Sequence, residues 1–180
     1  MKVLVTGHPR SGTGYASKCL QDIGLDVGHE KIGKNGISSW LWAANCHDNA
    51  RWGDNYTDIN PDITILVIRN PKDVIASTLF TCAQAYDWMD RFVNQNERSI
   101  MGACQYLLSW NKLALKNRKP DVIVKTESFD RFCLEYFGRL PSNDLIGYNT
   151  RNHDDLTDRQ YEEVLHYSDQ SYKLWEGAWG

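Results

Sequence analysis

The sequence predicts an α/β fold, a three-layer sandwich with a central parallel sheet, built as a single domain over residues 1–180. Three observations predict it. Residues 63–68 are a six-residue run of which all but Thr64 are aliphatic. A continuous apolar run of that kind suits a central parallel strand covered on both faces. Residues 2–6 read as a short buried strand that runs into a glycine-rich turn and then a helical pattern. Beyond them, strand and helix patterns alternate along the chain, as a parallel sheet with crossover helices requires.

The elements follow in order. The first strand ends at Gly7. A helix over 13–23 has Tyr15, Cys19 and Leu20 among its buried positions, and Gly24 ends it. Residues 25–28 are a second short strand, and 37–45 read as helical. Residues 51–62, with Asp, Asn, Gly and Pro, are polar and irregular. After strand 63–68, Asn70 suits a cap, Pro71 the first helical position, and Asp73 the positive end of the helix dipole. Residues 88–97 are polar with interspersed aromatics, a lid over a bound acceptor or a solvated helix. A long helix over 99–117 carries Tyr106, Leu107, Trp110, Leu113 and Ala114 on one side. Residues 122–125 form a strand after Pro120, and 128–137 and 158–175 are helical.

Composition sets bounds on function. At 180 residues the chain can bury roughly 70% of its unfolded surface and needs no staples. Hydrophobic residues at 42% and charged residues at 24% are ordinary for a globular protein. The net charge of −3 argues against a general nucleic-acid binder, while leaving room for a local basic site for a small anion. Five cysteines, at 19, 46, 82, 104 and 133, are widely spaced and include no C-x-x-C pair, so they form neither a zinc nor a disulfide framework. Reduced thiols fit a cytoplasmic protein. No metal-ligand cluster is visible, and no apolar run approaches the ~20 residues of a membrane span. Seven Trp and nine Tyr are many; they suit a core, and also a ring-binding cleft.

The chemistry concentrates in two places. Residues 7–15 read Gly-His-Pro-Arg-Ser-Gly-Thr-Gly-Tyr between a strand and a helix. Glycines let backbone amides approach an anion, the helix start adds unpaired amides and a positive dipole end, and Arg10 adds a planar donor fork. Thr13 adds a hydroxyl donor. The result is a P-loop-like phosphate-binding loop. Gly7 and Gly12 have Walker A spacing, but Thr13 stands where that motif requires Lys, which weighs against kinases and nucleotide hydrolases. The second place is Arg69-Asn-Pro-Lys-Asp-Val-Ile-Ala-Ser77. Arg69 leaves the sheet at a strand's carboxyl end, where open α/β folds bind ligands, and Ser77 lies two turns into the next helix. An Arg and a Ser so placed can bind a further phosphate.

These two segments together resemble the PAPS-dependent sulfotransferase family, whose members use 3′-phosphoadenosine 5′-phosphosulfate. Gly7–Thr13 looks like that family's 5′-phosphosulfate loop, and Arg69–Ser77 like its 3′-phosphate signature. Val122-Ile-Val-Lys-Thr-Glu127 resembles a later strand, and Asn149-Thr-Arg-Asn-His153 a loosely patterned stretch near the family's C-terminal end. Arg10 stands where the cytosolic branch has Lys, which places the chain nearer the bacterial and Golgi-type branches. Gly14 replaces a common Thr or Ser. The cytosolic Arg-Lys-Gly segment is missing, with Arg151 as a candidate replacement.

What the resemblance implies is a sulfuryl transfer to a hydroxyl on a small-molecule or glycan acceptor, releasing adenosine 3′,5′-bisphosphate. The expected cofactor-binding set is Pro9, Arg10, Ser11, Gly12, Thr13, Gly14, Tyr15, Arg69, Ser77 and Arg151, with no metal. Arg10 and the loop amides stabilise the transferred group. The base is Glu30 or its neighbour His29; a Glu in this region serves as base in the tyrosylprotein and carbohydrate branches. Lys125, Glu127 and His153, with Trp40 and Trp42, are candidates to line the acceptor site. A nucleotide phosphotransferase and a non-catalytic nucleotide-binding module are the competing readings.

Overall fold

A computed structural model of the chain describes residues 1–44, 59–81, 83–93, 99–142 and 156–180. Five strands, β1 (Val3–Gly7), β2 (Val27–His29), β3 (Gly36–Ser38), β4 (Ile63–Ile68) and β5 (Val122–Lys125), form one all-parallel sheet in the order β2-β3-β1-β4-β5. Helices α1 (Thr13–Asp22) and α5 (Phe129–Phe137) cover one face. On the other lie α2 (Pro71–Thr81), α3 (Ala83–Val93), α4 (Ile100–Arg118), α6 (Asp158–Tyr167) and α7 (Asp169–Glu176). The three-layer α/β sandwich is as predicted.

The period-two geometry of a strand explains how β4 serves both cores. Ile63, Ile65 and Val67 pack under α1 and α5, while Leu66 and Ile68 join the core beneath α2 and α4. Each such fully buried aliphatic side chain contributes about 1.5–3 kcal/mol. β1 pairs with β4 through to Gly7 opposite Val67, so both strands end at one edge of the sheet. A Cβ on Gly7 would lie 2.4 Å from the Val67 carbonyl oxygen, which is why the strand ends in glycine. After β1 the chain crosses one face through α1; after β4 it crosses the other through α2, α3 and α4. The edge between β1 and β4 is therefore a topological switch point, where open α/β sheets form ligand crevices.

Three predicted elements are corrected. The helix predicted over 37–45 is not formed over 37–44: Ile37 and Ser38 belong to β3, paired with β1, and Trp40–Ala43 make one turn of 3₁₀-helix capped by Ser39, while Asn45 lies outside the described residues. The apolar run that suggested a helix is a buried strand followed by a buried turn, which periodicity alone does not separate. The predicted helix over 158–175 breaks at Ser168, whose buried hydroxyl donates to Cys104 Sγ at 3.1 Å, leaving α6 and α7. The start of the polar stretch 88–97 belongs to α3, a packed helix with Met89 fully buried and Phe92 edge-on to Trp110; residues 94–97 lie outside the described residues. Cys19, Cys104 and Cys133 are free and buried. Among the described residues no helix is long and apolar enough to cross a membrane.

Candidate functional site

The first loop leaves β1 at Gly7 and enters α1 at Thr13. Its first helical hydrogen bond runs from the Ala16 amide to the Gly12 carbonyl at 2.9 Å. The amides of Thr13, Gly14 and Tyr15 precede that bond, so they are the orphan donors of the helix start, at the positive end of its dipole. Gly12 sits at φ 94, and a Cβ there would fall 2.3 Å from Thr126 Cγ2. The loop is pinned from three directions. Thr126 Oγ1 shares its proton between the carbonyls of Ser11 and of Ile68, the latter at 3.1 Å. Trp110 Nε1, from α4, donates to the Gly7 carbonyl at 3.1 Å, and Ser38 Oγ, from β3, donates to the Thr13 carbonyl at 2.7 Å.

Within this frame Ser11 Oγ is buried with no hydrogen-bond partner among the described residues. A buried orphan hydroxyl costs about 1–3 kcal/mol. An anion in the loop would supply the missing acceptor. His8 is fully buried beside it; burial pushes its imidazole down to about 3, so the ring is neutral, and Nδ1 donates to the Pro9 carbonyl at 2.5 Å.

The second segment leaves β4 at Arg69. Asn70 caps as expected: its Oδ1 accepts from the Lys72 amide at 3.1 Å, and Pro71 opens α2. Its own amide donates to Glu127 Oε1 at 3.0 Å, which ties this turn to the segment following β5. Arg69 Nε lies 3.7 Å from Asp73 Oδ2. Ser77 is buried, and its Oγ accepts from Arg10 Nε at 2.8 Å. The two segments thus touch, although the sequence reading gave Arg10 and Ser77 separate duties at opposite ends of a ligand. Arg10 reaches across from φ 73, a left-handed backbone that costs a non-glycine residue about 1–2 kcal/mol.

The third part of the site stands at the ends of β2 and β3. The chain reverses after His29 in only six residues, too few for an ordinary parallel crossover. It does so by folding residues 30–35 back against β2. Gly28 and Gly33 permit the approach: their Cβ atoms would meet the carbonyl oxygens of Lys31 at 1.9 Å and Asp26 at 2.3 Å. Glu30 forms the tip at φ 55. Consecutive side chains of an extended strand point to opposite faces; the left-handed turn instead brings Glu30 Oε1 to 3.5 Å from His29 Nε2. Glu30 Oε2 accepts from Ser39 Oγ. Burial pushes the Glu30 carboxyl up to about 7, partly opposed by the Ser39 hydroxyl and the Trp40 amide. Burial lowers His29. Both groups lean toward neutrality, so their contact is not a full ion pair. His29 Nε2 also lies 3.5 Å from Thr13 Oγ1, which links the candidate base to the first residue of α1.

Comparison of the chain with protein-family models, curated proteins and solved structures finds no match.

The remaining candidates divide. Pro9, Ser11, Gly12, Thr13 and Gly14 all lie in the loop or the first turn of α1. Tyr15 contributes its amide there, but its side chain packs into the core shared by α1 and α5. Trp42 is core, beneath the Arg118 guanidinium at 5.0 Å, whereas half-buried Trp40 packs on Trp110 with ring centroids 5.9 Å apart. Lys125 lies over Trp175 and donates to the Gly180 carbonyl at 3.1 Å, and Glu127 accepts from the Asn70 amide. Arg151 and His153 lie outside the described residues. Sequence reasoning missed Ser39 and Thr126. Ser39 was hidden by the helical reading of 37–45, although a Ser before a Trp-rich turn is a capping signal. Nothing local marks Thr126, whose partners are 58 and 115 residues away.

Proposed function

We propose that this protein is a sulfotransferase that moves a sulfuryl group from 3′-phosphoadenosine 5′-phosphosulfate to a hydroxyl acceptor. One observation carries the reading: the two anion-binding segments leave adjacent parallel strands at the switch point and meet through the 2.8 Å Arg10–Ser77 hydrogen bond. A single nucleotide bearing anionic groups at both ends fits such a pair of turns. The Ser11 hydroxyl, without a partner among the described residues, and the amides that open α1 ahead of its first helical hydrogen bond support a 5′-phosphosulfate in the first loop. Arg69, at the end of β4, supports a 3′-phosphate beside the second. Arg10 cannot donate a proton, so it acts by charge and hydrogen bonding on the transferred group. Glu30 is the base, its carboxyl held ready by Ser39 with Oε1 left for the acceptor's proton. A positioned base contributes ~10²–10⁴-fold.

Ligand-dependent melting tests the nucleotide assignment, because a ligand that binds only the native state raises the melting temperature. Adenosine 3′,5′-bisphosphate should stabilise the protein more than ATP with Mg²⁺ does, and Arg69→Ala should abolish that preference. Equal stabilisation by both nucleotides, or by neither, would reject the donor. Sulfate transfer over a panel of sugar, phenol and alcohol acceptors then measures activity.

A further inference from the structure

The base stands beside a second proton carrier. Glu30 Oε1 is buried and has no hydrogen-bond partner among the described residues, while Oε2 is taken by Ser39. A proton received on Oε1 has no direct way out through Oε2. His29 Nε2 is 3.5 Å from Oε1, and the His29 side chain is 40% exposed against 22% for Glu30. The contact exists only because Glu30 adopts φ 55; extended backbone would send the two side chains to opposite faces. A left-handed glutamate at a reversal is strained backbone of the sort that clusters at functional sites. The sequence supplied glycine at Gly28 and Gly33 in the same reversal, yet not here.

We propose that His29 is the exit relay for the proton that Glu30 takes from the acceptor. This rests on the sulfotransferase reading and on Glu30 as its base. As the acceptor oxygen bonds to sulfur, its O–H bond breaks and the proton moves to Glu30 Oε1. The bond from sulfur to the nucleotide's bridging oxygen breaks, and the bisphosphate leaves with that electron pair. Glu30 Oε1–H then gives its proton to neutral His29 Nε2. The imidazolium loses its Nδ1 proton to solvent, and exchange with water restores the starting tautomer. One proton is released per sulfuryl group transferred. Burial lowers His29, so the resting ring is neutral and the imidazolium, once formed, gives its proton on readily. Thr13 Oγ1, at 3.5 Å from the same nitrogen, holds the ring at the loop.

Two measurements test the relay. The first uses nitrogen NMR of the His29 ring across pH. Shared protonation predicts that the Nε2 shift follows the titration of Glu30, and that this component vanishes in Glu30→Gln. An Nε2 shift unaffected by Glu30→Gln overturns the relay, whatever the enzyme's activity. The second follows release of adenosine 3′,5′-bisphosphate from 3′-phosphoadenosine 5′-phosphosulfate with water as acceptor. His29→Ala should slow release about tenfold or more, free imidazole should restore it in a concentration-dependent way, and the melting shift from adenosine 3′,5′-bisphosphate should be unchanged. His29→Gln should match His29→Ala without unfolding. A His29→Ala rate equal to wild type, or a loss that imidazole does not rescue, overturns the relay. Retained activity in Glu30→Gln would make His29 the base itself, and also overturns it. Absence of any bisphosphate-specific melting shift in the wild type instead rejects the underlying sulfotransferase reading, and the NMR measurement still decides the proton contact.

Discussion

Replacing Glu30 with Gln should stabilise this protein at alkaline pH and leave it nearly unchanged at acid pH. The side chain keeps its shape, and its carbonyl oxygen still accepts from Ser39. What disappears is the cost of ionising a buried carboxyl. That carboxyl is raised from an ordinary value near 4.5 to about 7, first by burial, with the Ser39 hydroxyl and the Trp40 amide pulling the other way. Because the native value is the higher one, the unfolded chain gives up its proton first as pH rises. Glu30 therefore costs nothing below about pH 4.5, costs progressively more as pH approaches 7, and costs a constant amount above. At about 1.4 kcal/mol per pH unit, and trimmed for the partial exposure of the side chain, the difference between pH 5 and pH 8 comes to roughly 2 kcal/mol. For a chain of this size that corresponds to roughly 4–8 °C in melting temperature. Urea denaturation of wild type and variant at both pH values measures it as a difference of differences, in which titrations common to both proteins cancel. A stability difference between the two proteins that is the same at pH 5 and pH 8 would show that Glu30 titrates as an ordinary surface carboxylate, and its candidacy as a base near neutrality would fall with it.

Gly12→Ala combines a left-handed φ of 94 with a Cβ 2.3 Å from Thr126 Cγ2. It should destabilise the fold by roughly 2–5 kcal/mol in denaturant melts, and adding Thr126→Ser should recover part of the loss. Lys119 ends α4 at φ 44 on the surface, so Lys119→Gly should raise stability by about 0.5–1 kcal/mol, read as a higher urea midpoint at unchanged slope. His8 is pushed down by burial, so the stability it leaves intact above about pH 6.5 is lost as pH falls and the unfolded chain alone takes up a proton. His8→Asn should flatten the pH 7-to-5 decline by roughly 2 kcal/mol, measured by equilibrium denaturation.

The sequence alone determined the layers and the two strand-to-helix turns proposed to bind the nucleotide, because both are written in local signals. A run such as 63–68 reads as a buried strand without reference to its neighbours, and Asn70-Pro71 or Gly12-Thr13 specify a helix start through the dihedral angles and donors of those residues. Local pattern failed at 37–45, where an apolar run served a strand and a turn, and at Ser168, where a hydroxyl bound to Cys104 divides a predicted helix. The tertiary structure alone decided what touches what. It set Arg10 on Ser77, 67 residues away, and Thr126 across the carbonyls of Ser11 and Ile68. It also turned Glu30 onto His29 and Ser39 through one left-handed residue. Such contacts depend on strand order and register, which arise from the packing of the whole sheet. The protonation of Glu30 and His8 depends on burial, a property of the folded interior rather than of the residues that carry the charge.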